Sequence, residues 1–268
     1  MRLYDATFND LARAQSVEEI QRLGLNSHSM RRFLEELRKR EDLPQEELAR
    51  REYQALPLLG PLDTEGLAIH EYMAEDPSFF VDVVCDAFLP AHRDKTQDAE
   101  LTPEEQARAQ AAYKLLSGMK RVPGQQEDHQ IDEEKLLKWI YAVREKASQA
   151  DRAVVADVQI GQLLAHAPKD PEDDAWPDHV VRNVIEKLEA DHIDEGLVIE
   201  RINMRGAYTK DPYEGGTKER ALASQYRSWA EVSRAQWPRM ARMLEMIVRS
   251  WEGYAYREDI RAEQEKLD

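Results

Sequence analysis

The chain has 268 residues, 34% of them charged and 42% hydrophobic, with a net charge of −16. That length can bury one large core or two smaller ones, and the high charge suits thin helical layers with a wide wetted surface. The acidic balance argues against non-specific nucleic-acid binding and against an anionic membrane surface, and no apolar run approaches the roughly 20 residues of a membrane span.

Helix signals dominate from the start. Ser16 and Glu19 form a capping box, in which hydroxyl and carboxylate satisfy each other's backbone donors. Asn26 or Ser27 starts the next helix, where Met30, Phe33, Leu34 and Leu37 share a face. Pro44 opens a third, which is expected to stop near Leu56 because Pro57 cannot continue it. Asp76 and Pro77 then open the most apolar helix, carrying Phe79, Phe80, Val83, Val84, Ala87 and Phe88. It contains the only cysteine, Cys85, which reads as a small buried hydrophobe and excludes a disulfide framework or cysteine zinc site within one chain.

Residues 90–102 are polar and aperiodic, a loop. Thr102, Pro103, Glu104 and Glu105 combine cap, proline and capping-box acid, and the helix they start presents Ala109, Ala112, Tyr113 and Leu116 before ending near Gly118. Pro123 and Gly124 mark a turn within 122–130. Asp132 caps a helix with Leu136, Trp139, Ile140 and Val143, and a further helix covers about 152–166. After a proline-and-acid connector, Pro177 is expected to begin a helix through Val181, Val184, Ile185 and Leu188. Residues 196–204 fit either a helix or a short strand. Two long helices follow, about 218–235 and 239–266, hinged at Trp237 and Pro238.

Four blocks carry a resemblance. PSFFVDVVCDAFLP, GQLLAHAPKDPEDDAWPDHVVRNVIEKL, NMRGAYTKDPYEGGTKERALASQYRSWAE and WPRMARMLEMIVRSWEGYAYREDIRAE are similar to the C-terminal helical region of very large multidomain bacterial proteins of unknown function. The resemblance carries no activity. It implies a segment able to end a longer chain, beside an ATPase or effector domain.

Candidate chemistry concentrates between residues 201 and 237. Arg205, Lys210, Lys218 and Arg220, with Gly206, Gly215 and Gly216 and a helix start, are the ingredients of an anion site. Their order is neither a P-loop nor GxGxxG. The plainer reading is a structural turn, with Tyr208 and Tyr213 pinning it to neighbouring helices. Tyr226, Trp229, Trp237, Met240, Met243, Leu244, Ile247 and Trp251 form a Trp/Met-rich stripe, read as a hairpin core or as a groove for a partner helix. Arg227, Arg234, Arg239, Arg242 and Arg249 make the same region less acidic than the chain as a whole, which leaves room for an acidic partner or RNA. His166, His179 and His192 are evenly spaced among acids, but no pair has the i, i+4 spacing that puts two metal ligands on one helix face.

The expected fold is all-α, an irregular array of about ten helices in stacked hairpins, as one domain of 1–268 or subdivided near 90–102 or 122–130. The expected function is a non-enzymatic cytoplasmic interaction or scaffold module with a protein partner, no cofactor, no metal and no catalytic residue. Arg205, Lys210, Tyr213, Lys218, Arg220 and Trp229 are the candidate contact residues. A small phosphorylated ligand or nucleotide at the 205–220 turn is the alternative.

Overall fold

The computed structural model describes residues 27–40, 42–59, 68–92, 101–206, 211 and 213–265. The capping box at Ser16 and Glu19 lies outside them. Among the described residues the fold is all-α, with eleven helices. These are α1 (Ser27–Arg38), α2 (Gln45–Leu59), α3 (Ala68–Glu75), α4 (Pro77–Ala87), α5 (Pro103–Gly118), α6 (Glu133–Gln149), α7 (Ala153–Leu164), α8 (His179–Leu188), α9 (Asp191–Asn203), α10 (Thr217–Ser233) and α11 (Pro238–Glu265). The only β-type contact among them is an isolated bridge between Gln125 and Ile131. By contact the chain forms two compact units, Met1–Arg121 with Trp139–Ala156, and Val122–Lys138 with Asp157–Asp268.

In the first unit the caps act as their residue types dictate. Asp76 accepts from the amides of Ser78 and Phe79 at the start of α4. Thr102 and Glu105 form the reciprocal box of α5. Each such cap contributes about 1 kcal/mol. α4 packs against α3 and α5 and buries Phe79, Phe80, Val83 and Val84. Trp139 of α6 meets Phe80 edge-on at 4.8 Å, and its indole N–H donates to the carbonyl of Met73. Cys85 is half-buried, and burial pushes its thiol pKa up.

Two expectations for this unit are corrected. α2 runs through Pro57 to Leu59. The proline lacks the amide that would bond the carbonyl four residues back, and the helix ends two residues beyond it. Tyr113 is 53% exposed and only edges onto Phe88, 6.0 Å between ring centroids, while Ala112, Leu115 and Leu116 are the residues α5 buries. Sequence reading also missed Glu52, fully buried on α2, whose carboxylate takes Nε of Arg38 and the amide of Ile69 at the start of α3. A glutamate from one helix thus caps the next.

The second unit is organised around Arg182 of α8, which is fully buried. Its guanidinium donates twice to Asp173, at 2.6 and 2.9 Å, once to the carbonyl of Ala175 and once to that of Pro177. Its flat face lies over the Trp237 ring, 4.8 Å from the centroid. The bond to Pro177 explains a third correction. That carbonyl serves the arginine instead of a helical amide, so α8 begins at His179 with Asp178 as its cap. Residues 196–203 are helical, the second half of α9.

α7 and α9 cross at two glycines. A Cβ on Gly161 would lie 2.0 Å from the Ile193 carbonyl oxygen, and one on Gly196 would lie 2.2 Å from that of Val158. Backbone meets backbone, so neither clash can be relieved by a side-chain rotation.

α10 and α11 form an antiparallel hairpin with a heptad-spaced ladder of ion pairs. Arg220 binds Asp259, Arg227 binds Glu252, and Arg234 binds Glu245. Between the helices lie Ala223, Tyr226, Ala230 and Ser233 from α10 and Met240, Leu244, Ile247, Trp251 and Ala255 from α11. The start of α11 is held by α8 and α9: the Met240 amide donates to Glu186, Trp237 Nε1 donates to Asn183, and Arg239 reaches Asp191 and Asp194.

These contacts make three outcomes measurable. Gly196→Ala should lower unfolding free energy by about 2–3 kcal/mol in urea denaturation, as overpacking against fixed backbone does. Gly253→Ala, whose Cβ would meet nothing nearer than Arg257 Nη1 at 3.9 Å, should raise it by about 0.5–1 kcal/mol through helix propensity. The Arg182 bonds hold the Asp173 carboxyl below its ordinary 3.8 despite some burial. A depressed carboxyl stabilises the fold above its unfolded pKa, and that contribution disappears as pH falls through the folded value. Asp173→Asn should therefore lower Tm at pH 7 and flatten its decline on acidification.

Candidate functional site

A cleft of about 300 Å³ is lined by Ile202, Asn203, Arg205, Gly206, Glu219, Trp251, Tyr254 and Glu258. All of these belong to the second unit. Gly215, at φ +61, and Gly216 bring the chain onto the C-terminal part of α11, where Asp259 accepts from the Gly216 amide at 2.7 Å. A Cβ on Gly216 would fall 2.3 Å from the Ala255 carbonyl oxygen, so this residue is a contact point as much as a turn.

Glu219 is fully buried and pairs with Arg205 at 2.8 Å. The Arg205 guanidinium also lies over Trp251, 5.0 Å from the ring centroid. Two acidic side chains, Glu219 and Glu258, line the cleft with Arg205. That balance suits a phosphate poorly. Trp251, 3% exposed, leaves its indole N–H without an acceptor among the described residues, so a neutral oxygen acceptor is the complementary group.

The residues singled out from sequence have divided fates. Arg205 lines the cleft, but in a pair. Arg220 is held by Asp259, and Lys218 lies 3.3 Å from Glu214. Lys210 and Tyr208 lie outside the described residues. Tyr213 is 58% exposed. Trp229 is 7% exposed, which corrects its reading as a contact residue. It packs with Tyr226 at 5.0 Å and Trp176 at 6.4 Å, and Lys169 lies over its ring. Arg201 completes this cluster, stacking 4.2 Å from the Trp176 centroid and donating to the Tyr226 hydroxyl. Burial raises the Tyr226 pKa.

Among the described residues, one group of three has potential metal-ligand atoms within 4.8 Å of one another: Asp170, Asp178 and His179. Their hydrogen bonds describe a helix start. Asp170 accepts from the amides of Glu172 and His179 and from His179 Nδ1, while Asp178 accepts from the Val180 amide. The positive end of α8 opposes a cation here. His166 and His192 have their own acidic neighbours, Glu200 at 3.5 Å and Glu195 at 3.6 Å.

With this geometry in hand, comparison with protein-family models, curated proteins and solved structures found no match. No helix among the described residues is long and apolar enough to cross a membrane.

The buried pair generates its own test. Arg205→Ala strands the Glu219 carboxylate and should cost about 3 kcal/mol or more in chemical denaturation. Replacing both, as Arg205→Met with Glu219→Leu, should recover most of that loss. Equal losses in the single and double variants would show that the pair itself carries the stability.

Proposed function

We propose that this chain is a non-enzymatic helical protein-interaction module that works within or beside a larger assembly. The observation that carries the reading is the outer surface of the hairpin. The ladder pairs Arg220, Arg227 and Arg234 of α10 with acids of α11, while Met246, Tyr256 and Ile260 remain 45%, 67% and 39% exposed on α11. Large apolar and aromatic side chains held on a rigid helix lose little entropy on binding and are typical interface anchors. The likeness of four sequence blocks to the ends of large bacterial multidomain proteins supports the same reading. A phosphorylated ligand at the 205–220 turn fits less well, since Arg205 and Arg220 are already committed to carboxylates.

Site-specific photocrosslinking tests this. A benzoylphenylalanine replacing Tyr256 should give a light-dependent protein adduct in the native cells. The same group replacing exposed Gln225 on α10 should not. Absence of any adduct at 256, or the same adducts from both positions, counts against an interface on α11.

A further inference from the structure

A second line of residues runs along α11, apart from the side that faces the hairpin core. Arg242, Met246, Arg249, Gly253, Tyr256 and Ile260 succeed one another in steps of four, three, four, three and four. That is the alternation of the a and d positions of a coiled coil, and it keeps a straight seam along a helix about 42 Å long. The core residues Met240, Leu244, Ile247 and Trp251 form a separate seam facing α10. α11 thus has two seams, one filled within the chain and one open.

The open seam is basic in an acidic protein. Arg242 and Arg249 lie in it, both exposed, with Asp194 of α9 close enough to Arg242 to attract it. Arg257 flanks it, stacked 4.5 Å from the Tyr254 ring centroid. No carboxylate stands in the seam. Those on its other flank, Glu245, Glu252 and Asp259, are occupied by Arg234, Arg227 and Arg220 of α10. Gly253, midway along, is a notch where only Arg257 Nη1 approaches, at 3.9 Å.

We infer that this seam docks an acidic amphipathic helix of a partner protein, which completes a three-helix bundle with α10 and α11. The inference rests on the interaction-module reading and names the partner's chemistry. Apolar side chains of the incoming helix cover Met246, Tyr256 and Ile260, a large one fills the notch at Gly253, and flanking carboxylates meet Arg242, Arg249 and Arg257. A second copy of this chain fits poorly. Parallel pairing stacks Arg242 and Arg249 on themselves. Antiparallel pairing sets the edge of Glu245, Glu252 and Asp259 against its own copy. A nucleic-acid backbone would find three arginines separated by apolar groups on a chain of net charge −16.

The probe is a fluorescent peptide of three heptads with leucine at a and d and glutamate at e and g. The glutamates keep it from pairing with itself at neutral pH. A sister peptide carries lysine at e and g. By fluorescence anisotropy the full chain should bind the glutamate peptide at least about tenfold more tightly than the lysine peptide, and added salt should weaken that binding. Arg242→Glu with Arg249→Glu should reverse the preference. Ile260→Asp should weaken binding of the glutamate peptide while its circular dichroism melt stays within a few degrees of the parent. Equal binding of the two peptides, no binding of either, or an unchanged preference in the double arginine variant overturns the inference. So does displacement of the glutamate peptide by duplex DNA or by anionic phospholipid vesicles at comparable concentrations. A specific crosslink at position 256 without glutamate-peptide binding would leave the interaction module standing and remove only the acidic helix.

Discussion

Arg182 is a full positive charge with no access to water, and the second unit is arranged so that this costs little. A buried guanidinium is tolerated only when its donors are met, and here Asp173 and two backbone carbonyls meet them. Each partner fixes something further. Ala175 and Pro177 shape the chain entering α8 and place Trp176 against Tyr226 and Trp229. The ring of Trp237 under the guanidinium sets where α11 begins. The connector, the aromatic cluster and the hairpin thus share one electrostatic anchor.

The hairpin itself illustrates the difference between strength and specification. Its ladder pairs are exposed, and such pairs contribute only a few tenths of a kcal/mol each. Their value lies in register. Because the arginines recur every seven residues on α10 and the acids every seven on α11, a slip of one residue breaks all three pairs together. The close approach at Gly216 and Ala255 fixes the other degree of freedom, the distance between the helices at that end. Within this frame Arg205 and Glu219 form a pair whose burial makes it far more consequential than the ladder.

Features governed by neighbours in sequence were legible in the sequence. The caps at Asp76, Thr102 and Asp132 depend on residues two or three positions away, and each appears where its motif stands. Arg220 reads from sequence as part of an anion site, and Arg227 and Arg234 as part of a cationic cluster, because the acids they pair with lie 11 to 39 residues further on. Buried charge was the systematic miss. Nothing local distinguishes Glu52, Arg182 or Glu219 from the many solvated acids and bases around them, since burial of a charge depends on a counter-group brought in from elsewhere. Trp229 shows the converse. A tryptophan in a Trp/Met-rich stripe suits a core or an interface equally, and only the presence of Trp176, more than fifty residues earlier, decides for the core.

The make-up of the first unit has a consequence for how the chain leaves the ribosome. This unit needs residues 139–156 as well as those up to Arg121. Phe80 and the Met73 carbonyl therefore emerge well before Trp139, the side chain that covers one and bonds the other. At ordinary elongation rates of about 5–20 residues per second, that interval lasts several seconds. During it the nascent chain carries an uncovered apolar surface on α4, the kind of transient exposure that makes a folding chain prone to aggregate. Ribosome pausing between residues 88 and 139 would prolong this window, and faster translation there would shorten it.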